Sequence, residues 1–336
     1  MRYYHLKITD PKTGKPPVDA YGNPVGPFDT SNTPGRGLHI EFDVMITGLD
    51  TVSSGTMLAI YGLPIDVLRQ SVKLHGCQVS LIAGFTKGLP LADEHQQGEI
   101  INGDIYSAYA NWVGTNQSLN LIINPAIRRL DNGKPLRISD NGRKGEKLGD
   151  VLTRALSKIY TRKKIICTVS NNLILPEDCS LEYGSDVSSL AIAVRSLSIA
   201  TMRDNNYLGV GITMQSDTIR IYDNASVSWG TPKAIQGYEL IGQPTWSEPF
   251  VMTFKCPLRG DLRCGDVIEM PQGMISGPSS VLMMNTTPYS AVPKDNVIFS
   301  GEFLITSVRH IGAFLVADGD AWATVYEAIA ENWTSV

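Results

Sequence analysis

The feature that most constrains this chain is a pair of strand-like segments near its end, Phe303 to Ile311 and Ala321 to Tyr326. Both are rich in β-branched and aromatic residues and contain no proline, a composition that favours strands over helices. Between them lies Asp318-Gly319-Asp320, in which the glycine adopts positive φ easily and both aspartates tolerate turns. The sequence therefore predicts a C-terminal β-hairpin with a loop of moderate length.

A second strand signal is the strict alternation of the heptapeptide Leu-His-Ile-Glu-Phe-Asp-Val that begins at Leu38. Its apolar residues fall on one face and its polar residues on the other, which predicts a half-buried strand with one hydrated face. Strands at this spacing, separated by glycine-containing turns, indicate a small barrel or sandwich. The other segments predicted in this third are strands at 2–9, Met57–Tyr61, Gln78–Phe85, Gly98–Ile105 and Ser118–Asn124, and a helical turn at Ile65–Gln70.

The middle of the chain, from Pro125 to about Gly237, has helical periodicity instead. One predicted helix has an apolar stripe formed by Leu148, Val151, Leu152, Ala155, Leu156 and Ile159. A second is predicted from Val187 to Met202, with Asp186 as its N-cap and a stripe of Leu190, Ala193, Val194 and Leu197. Strands are predicted at Lys164–Val169, Leu208–Met214 and Thr218–Tyr222.

These patterns predict an α+β fold that is mainly β, in three parts. We expect a β-rich domain at 1–125, an α+β insertion at 126–236 and a second β-rich domain at 237–336. The last part has further strand segments at Phe250–Cys256 and after Leu262. Proline and glycine cluster at 10–37 and 271–293, which predicts a long surface arm or loop in each outer domain.

Charge is distributed unevenly along the chain. The segment from Arg128 to Lys164, called the basic segment below, has twelve basic and four acidic residues. Its local charge is +8, so the remainder carries −12 within a total of −4. Three interpretations stay open: a solvated helix face with a flexible loop, a docking surface for an acidic protein, or a nucleic-acid contact. Because Tyr160 is its one aromatic residue, the segment lacks the stacking platforms of most nucleic-acid binders.

Composition excludes several other classes of protein. The chain has no uninterrupted apolar run of the roughly 18 residues that a membrane helix needs. The N-terminal residues lack the apolar core of a signal peptide, so we expect synthesis and assembly in a cytoplasm. The five cysteines are widely separated and form no Cys-x-x-Cys pair, which predicts reduced core thiols.

No arrangement of residues points convincingly to chemistry. The sequence has no nucleophile elbow, zinc-protease motif or phosphate-binding loop. Asp93-Glu94-His95 places side chains that could act as a general acid, a general base or a metal ligand next to each other. Because adjacent residues of a strand point to opposite faces, we interpret this segment as a solvated loop. His310 is interpreted as a structural histidine bonded to the hairpin loop, near Asp318 or Asp320; as a general base, it would act with Cys264 as nucleophile. We therefore assign no catalytic, cofactor-binding or metal-binding residue, and no cofactor.

Short motifs in both outer thirds resemble one family, the baseplate hub proteins of bacteriophage tails. At the end of the chain the pattern is Val-x-His-x-Gly, an acidic loop and Trp-x-Thr, carried by Val308, His310, Gly312, Trp322 and Thr324. Before it, Leu-x-x-Gly-Asp-x-Ile spans Leu262 to Ile268. The first third has matching positions at Ala59–Leu63, Val79, Leu81, Ala83–Phe85 and Gly98–Ile100, with Gly62 where the family more often has Asn.

This resemblance implies a structural virion protein without enzymatic activity. The family's two β-rich tube domains per chain would let a homotrimer form a pseudo-sixfold ring that lines the DNA channel. The implied partners are the central spike, the tail tube, distal tail or tape-measure proteins and neighbouring baseplate proteins, with DNA only in passage and no membrane insertion. The implied location is the tail baseplate of a virion assembled in the host cytoplasm. Three alternatives stay open: a hexameric tail-tube or distal tail protein, a tail-associated hydrolase, and a stand-alone ligand-binding β-barrel.

Overall fold

The computed structural model describes residues 1–30, 37–50, 56–86, 96–125, 137–161, 163–184, 187–204, 207–225, 231–248, 251–271 and 301–330. Strands predominate in the two outer thirds, and the two longer helices lie in the middle part. The predicted fold class, α+β and mainly β, is therefore confirmed.

Most strands of the first third begin and end close to their predicted positions. Its elements are β1 (Arg2–Thr9), β2 (Phe28–Asp29), β3 (Ile40–Ile46), β4 (Thr56–Tyr61), α1 (Ile65–Arg69), β5 (Gln78–Phe85), β6 (Gly98–Val113) and β7 (Asn116–Asn124). In β3 the predicted alternation is confirmed, since Ile40, Phe42 and Val44 are buried and Asp43 is exposed. Strand β6 is much longer than the predicted Gly98–Ile105.

The middle part contains both predicted helices. Its elements are β8 (Arg137–Gly142), α2 (Leu148–Ser157), β9 (Lys164–Thr168), β10 (Cys179–Gly184), α3 (Val187–Met202), β11 (Gly211–Gln215) and β12 (Thr218–Tyr222). Helix α3 has its predicted bounds, whereas the predicted N-cap Asp186 lies outside the described residues. Strands β8 and β10, which pair with each other, were not predicted.

The last third contains the predicted hairpin, slightly longer than expected. Its elements are β13 (Lys233–Ala234), β14 (Thr245–Glu248), β15 (Val251–Pro257), β16 (Val267–Met270), β17 (Gly301–Ala313) and β18 (Trp322–Ala330). Beyond Pro271, the predicted loop 271–293 lies outside the described residues.

Strands of both outer thirds form one continuous sheet. Its order is β14-β15-β18-β17-β3-β4-β7-β6-β5-β1-β2, with β16 also paired to β17 and β13 to β16. The thirds meet where β17 pairs antiparallel with β3, in a register that runs from Val308 opposite Ile46 to Ala313 opposite Glu41. We call this pairing the intrachain junction.

The two thirds repeat one strand order. The first reads β3-β4-β7-β6-β5-β1 and the last reads β14-β15-β18-β17-β16-β13. Both contain a long hairpin whose first strand skips one residue in its register, between Ile105 and Ser107 in β6 and between Ile305 and Ser307 in β17. They differ at one end, because β1 is antiparallel to β5 whereas β13 is parallel to β16.

The described residues form two hydrophobic cores. The first, the sheet core, is shared by both outer thirds and includes Tyr4, Phe42, Leu121, Phe254 and Trp322. The second, the middle core, draws its buried members from Ile138 to Ile221 and includes the predicted α2 stripe from Leu148 to Leu156. The outer thirds share one sheet and one core. The division into domains at 1–125, 126–236 and 237–336 stays a prediction.

Two expectations need correction. The arm 10–37 is predicted to be a surface loop, yet Phe28–Asp29 pairs with His5 and Leu6 of β1, where the chain is extended directly after Pro27. Residues 31–36 of that arm lie outside the described residues. The cysteines were expected in the core, whereas Cys167 is exposed on β9 and Cys179 is only partly buried.

Candidate functional site

The sheet has an open backbone edge on the second half of β6. Strand β5 pairs with β6 only as far as Asp104, which lies opposite Gln78. From Ser107 to Val113, β6 pairs with β7 on one side and with no strand of the described residues on the other. We call residues Ser107–Val113 the β6 edge.

The β6 edge is uncharged and partly aromatic. No Asp, Glu, Lys or Arg occurs between Ile105 and Asn124. Tyr109, Trp112 and Val113 are 43%, 65% and 67% exposed. Monomeric proteins usually protect such an edge with charged residues, proline or a covering segment, because an open edge can pair with another chain. The β6 edge is therefore a candidate site for strand addition.

A second open edge is β14, a terminal strand of the sheet. All four of its residues are exposed, and within the described residues its single sheet partner is β15. Trp246 is 40% exposed although its ring lies 6.2 Å from that of Phe303. We call Thr245–Glu248 the β14 edge.

The end of the sheet at β1 is covered, in contrast. Tyr4 and Thr30 form two backbone-directed bonds, from the Tyr4 amide to Thr30 Oγ1 at 3.0 Å and from the Thr30 amide to the Tyr4 carbonyl at 3.1 Å. Together with β2, these contacts place residues 28–30 of the arm along β1. These residues therefore cover the outer edge of β1, whereas the β6 and β14 edges have no strand on their open side within the described residues.

Sequence reasoning missed the β6 and β14 edges. The sequence pattern predicts strands that end at Ile105 and begin at Ser118, with none between them, although the Tyr, Trp and Val content of 106–117 and its Gly114-Thr115 turn are typical of a hairpin. Strand β14 has only four residues, which is too short for a clear alternation signal.

The residues of the C-terminal motif pack at the intrachain junction. His310 Nδ1 lies 2.9 Å from Thr324 Oγ1, and both residues are fully buried. Trp322 packs with its ring centroid 5.2 Å from that of Phe42 and donates from Nε1 to the Gly84 carbonyl at 3.0 Å. The motifs quoted from the two thirds therefore contact each other, which gives both of them a structural role.

The hypothetical pair of Cys264 and His310 lacks the properties of a nucleophile and its base. Burial raises the pKa of the Cys264 thiol to about 12 and lowers the pKa of His310 to about 3. The thiol donates to the Ile46 carbonyl at 3.5 Å, whereas the imidazole bonds to Thr324. The expectation that His310 bonds to the hairpin loop is wrong, because its partner lies on β18.

Other candidate ligands give no site within the described residues. Asp93, Glu94 and His95 lie outside them. The ranges that the structure describes contain no cluster of three or more His, Cys, Asp or Glu side chains placed to hold a metal ion. Among the helices of these ranges, none combines the length and apolar character needed to cross a membrane.

Several cations of the basic segment are held within the middle part. Arg154 and Lys158 bind Asp140 at 2.9 and 3.2 Å. Burial alone would raise the pKa of Asp140, but the hydrogen bonds from these two cations outweigh it and lower that pKa. Lys163 is partly buried and donates to the Ser216 carbonyl at 2.8 Å. Four further cations of the segment lie outside the described residues: Arg128, Arg129, Lys134 and Arg162.

A cavity of about 470 Å³ lies between the middle part and the sheet and is lined by residues of both, including Asp50, Arg195, Tyr222 and Glu327. Its wall is partly formed by the ion pair between Arg195 and Asp50. This position differs from the interior of a closed β-barrel, which the ligand-binding alternative requires.

The fold is similar to solved structures of tail proteins. The 43 kDa tail protein of prophage MuSo2 from Shewanella oneidensis has a TM-score of 0.51 at 9% identity, over 99% of this chain and 98% of that protein. The tail protein from Neisseria meningitidis MC58 has a TM-score of 0.46 at 9% identity, over 98% and 96% of the two chains. An Escherichia coli type VI secretion component, itself described as structurally similar to the T4 bacteriophage tail proteins gp27 and gp5, has a TM-score of 0.47 at 13% identity, over 97% and 76%.

Sequence comparison adds no closer relationship. No protein-family model matches the chain, and no curated protein matches it. The likeness to the MuSo2 protein spans nearly the whole of both chains and concerns the fold. This chain therefore has the fold of a phage tail protein.

Proposed function

We propose that this chain is a structural tail protein, and specifically a baseplate hub that forms a homotrimeric ring with pseudo-sixfold symmetry. The observation that carries the proposal is the repeated strand order of the outer thirds, with each repeat containing one long bulged hairpin. The fold shared with the MuSo2 tail protein supports it. Three chains with two such units each present six similar units around one axis.

The ring solves a physical problem at the end of a tail. A threefold spike and a sixfold tube have different symmetries, and a ring with two similar units per chain matches both. Its partners would be the central spike on one side and tail tube, distal tail or tape-measure proteins on the other. Neighbouring baseplate proteins would contact the middle part, and DNA would pass through the channel. Its location would be the baseplate of a virion assembled in the host cytoplasm.

The repeat favours the hub over the hexameric tail-tube or distal tail protein. A six-subunit ring needs only one such unit per chain, whereas this chain contains two in one continuous sheet. The hydrolase alternative is disfavoured by Cys264 and His310, since a thiol whose pKa is raised to about 12 has almost no thiolate near neutral pH. The proposed role is therefore structural and not enzymatic.

Native mass spectrometry of the purified chain and of tail particles tests the proposal. Three copies per ring are expected in both preparations. Six copies per ring would favour the tail-tube alternative, and a monomer in both preparations would exclude the hub.

A further inference from the structure

We propose that a cavity between the β11–β12 hairpin and the turn before β16 binds a small hydroxylated organic anion, either a hydroxycarboxylate or a phosphate ester. This cavity, called the cationic cavity below, has a volume of about 300 Å³. It lies between the middle part and the last third of the chain, so a bound anion would contact both. The inference does not depend on the proposed ring.

The strand pattern determines which side chains face the cationic cavity. The apolar residues of β11 and β12 are buried in the middle core: Ile212, Met214, Ile219 and Ile221. Because successive side chains of a strand point to opposite faces, Gln215 and Arg220 face away from that core. They line the cationic cavity together with Arg263 and Asp266 of the turn before β16 and Lys233 of β13.

The lining has more positive than negative charge. Five charged side chains contribute to it, the cations Arg220, Lys233 and Arg263 and the carboxylates Asp261 and Asp266. Arg259 already binds both carboxylate oxygens of Asp261, each at 2.7 Å. Among the described residues that line the cavity, Asp266 is then left to offset three cations. The cationic cavity therefore favours an anion.

Two of the cations are held by Asp266. Its carboxylate accepts hydrogen bonds from Arg220 and Lys233. Burial alone would raise the pKa of Asp266, but the hydrogen bonds from these cations outweigh it and lower that pKa. Arg220 also donates to the Cys264 carbonyl at 3.3 Å, which fixes the guanidinium against the turn.

The third cation, Arg263, has no close carboxylate partner among the described residues. Its Nη1 donates to Thr218 Oγ1 at 2.9 Å and lies 3.9 Å from a carboxylate oxygen of Asp217. The Asp217 side chain is exposed, so water screens this contact and makes it weak. A planar guanidinium is well suited to bind a carboxylate or a phosphate group. Arg263 can therefore contribute its charge to a ligand.

Buried polar atoms without partners give a second, independent indication of a ligand. Gln215 is 4% exposed, and neither its Nε2 nor its Oε1 has a hydrogen-bond partner in the part of the chain that the structure describes. The same holds for the buried Nε of Arg220. Unpaired buried polar atoms destabilise a folded protein, and most such atoms in native structures are paired. A ligand would supply the partners.

These atoms also indicate the chemical class of the ligand. The N–H groups of Gln215 and Arg220 can donate to an oxyanion, whereas Gln215 Oε1 needs a donor such as a hydroxyl group. A volume of about 300 Å³ is at the lower end of the range for small-molecule sites, which fits a small organic anion. Gln215 also borders a cavity of about 40 Å³, but no charged side chain lines that one within the described residues.

Calorimetric titration of the full chain tests the site. Citrate is the hydroxycarboxylate probe and glycerol 3-phosphate is the phosphate-ester probe, both at low ionic strength because salt screens partly exposed charges. We expect one site per chain for at least one probe, and the probe that binds more tightly identifies the anionic group. Binding should also raise the unfolding midpoint, because a ligand that binds only the folded state stabilises it.

Removal of two cations should weaken this binding. Lys233→Gln with Arg263→Gln should raise the dissociation constant at least ~10-fold, because hydrogen bonds to charged groups are lost. The two side chains are 47% and 34% exposed, so the variant should stay folded. The matched control, Lys12→Gln with Lys73→Gln, removes two exposed cations outside the cavity lining and should bind like wild type.

Gln215→Met distinguishes a ligand site from a merely structural cavity. Met has a similar length and lacks the amide, so the ligand-free variant should be at least as stable as wild type. Its unfolding midpoint should rise less than that of wild type when the probe is added. The proposal would be overturned if wild type bound neither probe, or if the cation variant bound as tightly as its control. Undiminished binding by Gln215→Met would overturn it as well.

Discussion

Gly312 shows at the residue scale why the C-terminal motif requires its residue types. Gly312 lies opposite Phe42 at the intrachain junction, and a Cβ added to it would lie 2.1 Å from the Phe42 ring. The ring in turn packs against Trp322. Any side chain at this position would force the aromatic pair and the paired strands apart.

Gly312→Ala should therefore lower the free energy of unfolding by about 1–3 kcal/mol, the usual cost of overpacking a core. Gly319→Ala is the matched control, because an added Cβ there meets nothing within 4 Å and its expected effect is within about 0.5 kcal/mol. Urea-induced unfolding measures both. Equal stability of the two variants would contradict the packing described at the junction.

His310 predicts a specific dependence of stability on pH. Burial lowers its pKa to about 3 in the folded state, whereas an unfolded histidine has a pKa of about 6.5. Below about pH 6.5 the unfolded state therefore binds a proton that the folded state does not, and stability falls as pH decreases toward 3. The slope from this group is at most about 1.4 kcal/mol per pH unit.

The comparison of wild type with His310→Asn isolates this contribution. The stability difference between the two proteins should change in favour of the variant as pH falls from 7.5 to 4.5, and it should be constant above pH 7. Urea unfolding at several pH values measures it. Parallel pH profiles for the two proteins would show that His310 can take up a proton without leaving its buried position.

At the scale of elements, the sequence predicts the strands and helices with a clear hydrophobic pattern. The hairpin of β17 and β18, the alternation in β3 and both helices of the middle part could be located because burial imposes periods of two or 3.6 residues. Strand β8 has two buried residues among polar ones and was missed for the same reason. The pairing of β17 with β3 joins residues more than 250 positions apart, and the local sequence pattern of either strand cannot predict it.

Because the cores are separate, we predict that destabilising one of them increases amide hydrogen exchange in its own part of the molecule and leaves the other part protected. Leu152→Ala, in the middle core, should cost about 2–5 kcal/mol and increase amide hydrogen exchange from residue 137 to 222. Leu121→Ala is the matched variant in the sheet core, since both leucines are fully buried. It should increase exchange in strands of both outer thirds. Identical exchange maps for the two variants would contradict the separation of the cores.

At the scale of the whole molecule, the repeated strand order connects fold and proposed function. Both repeats have the same hairpin and the same bulge, but most residues at equivalent register positions differ, so the repeat is not evident from the sequence. Fold class and the positions of most core strands could be predicted, whereas the candidate assembly edges could not. An edge is defined by which strands fail to pair, and that is a property of the folded sheet.

Electron cryo-microscopy of the assembled ring tests the central claim most directly, because it shows the copy number and the arrangement of the repeated units together. We predict three copies and six similar units per ring. Six copies in the ring, or three copies whose outer thirds are not arranged as six similar units, would contradict the account.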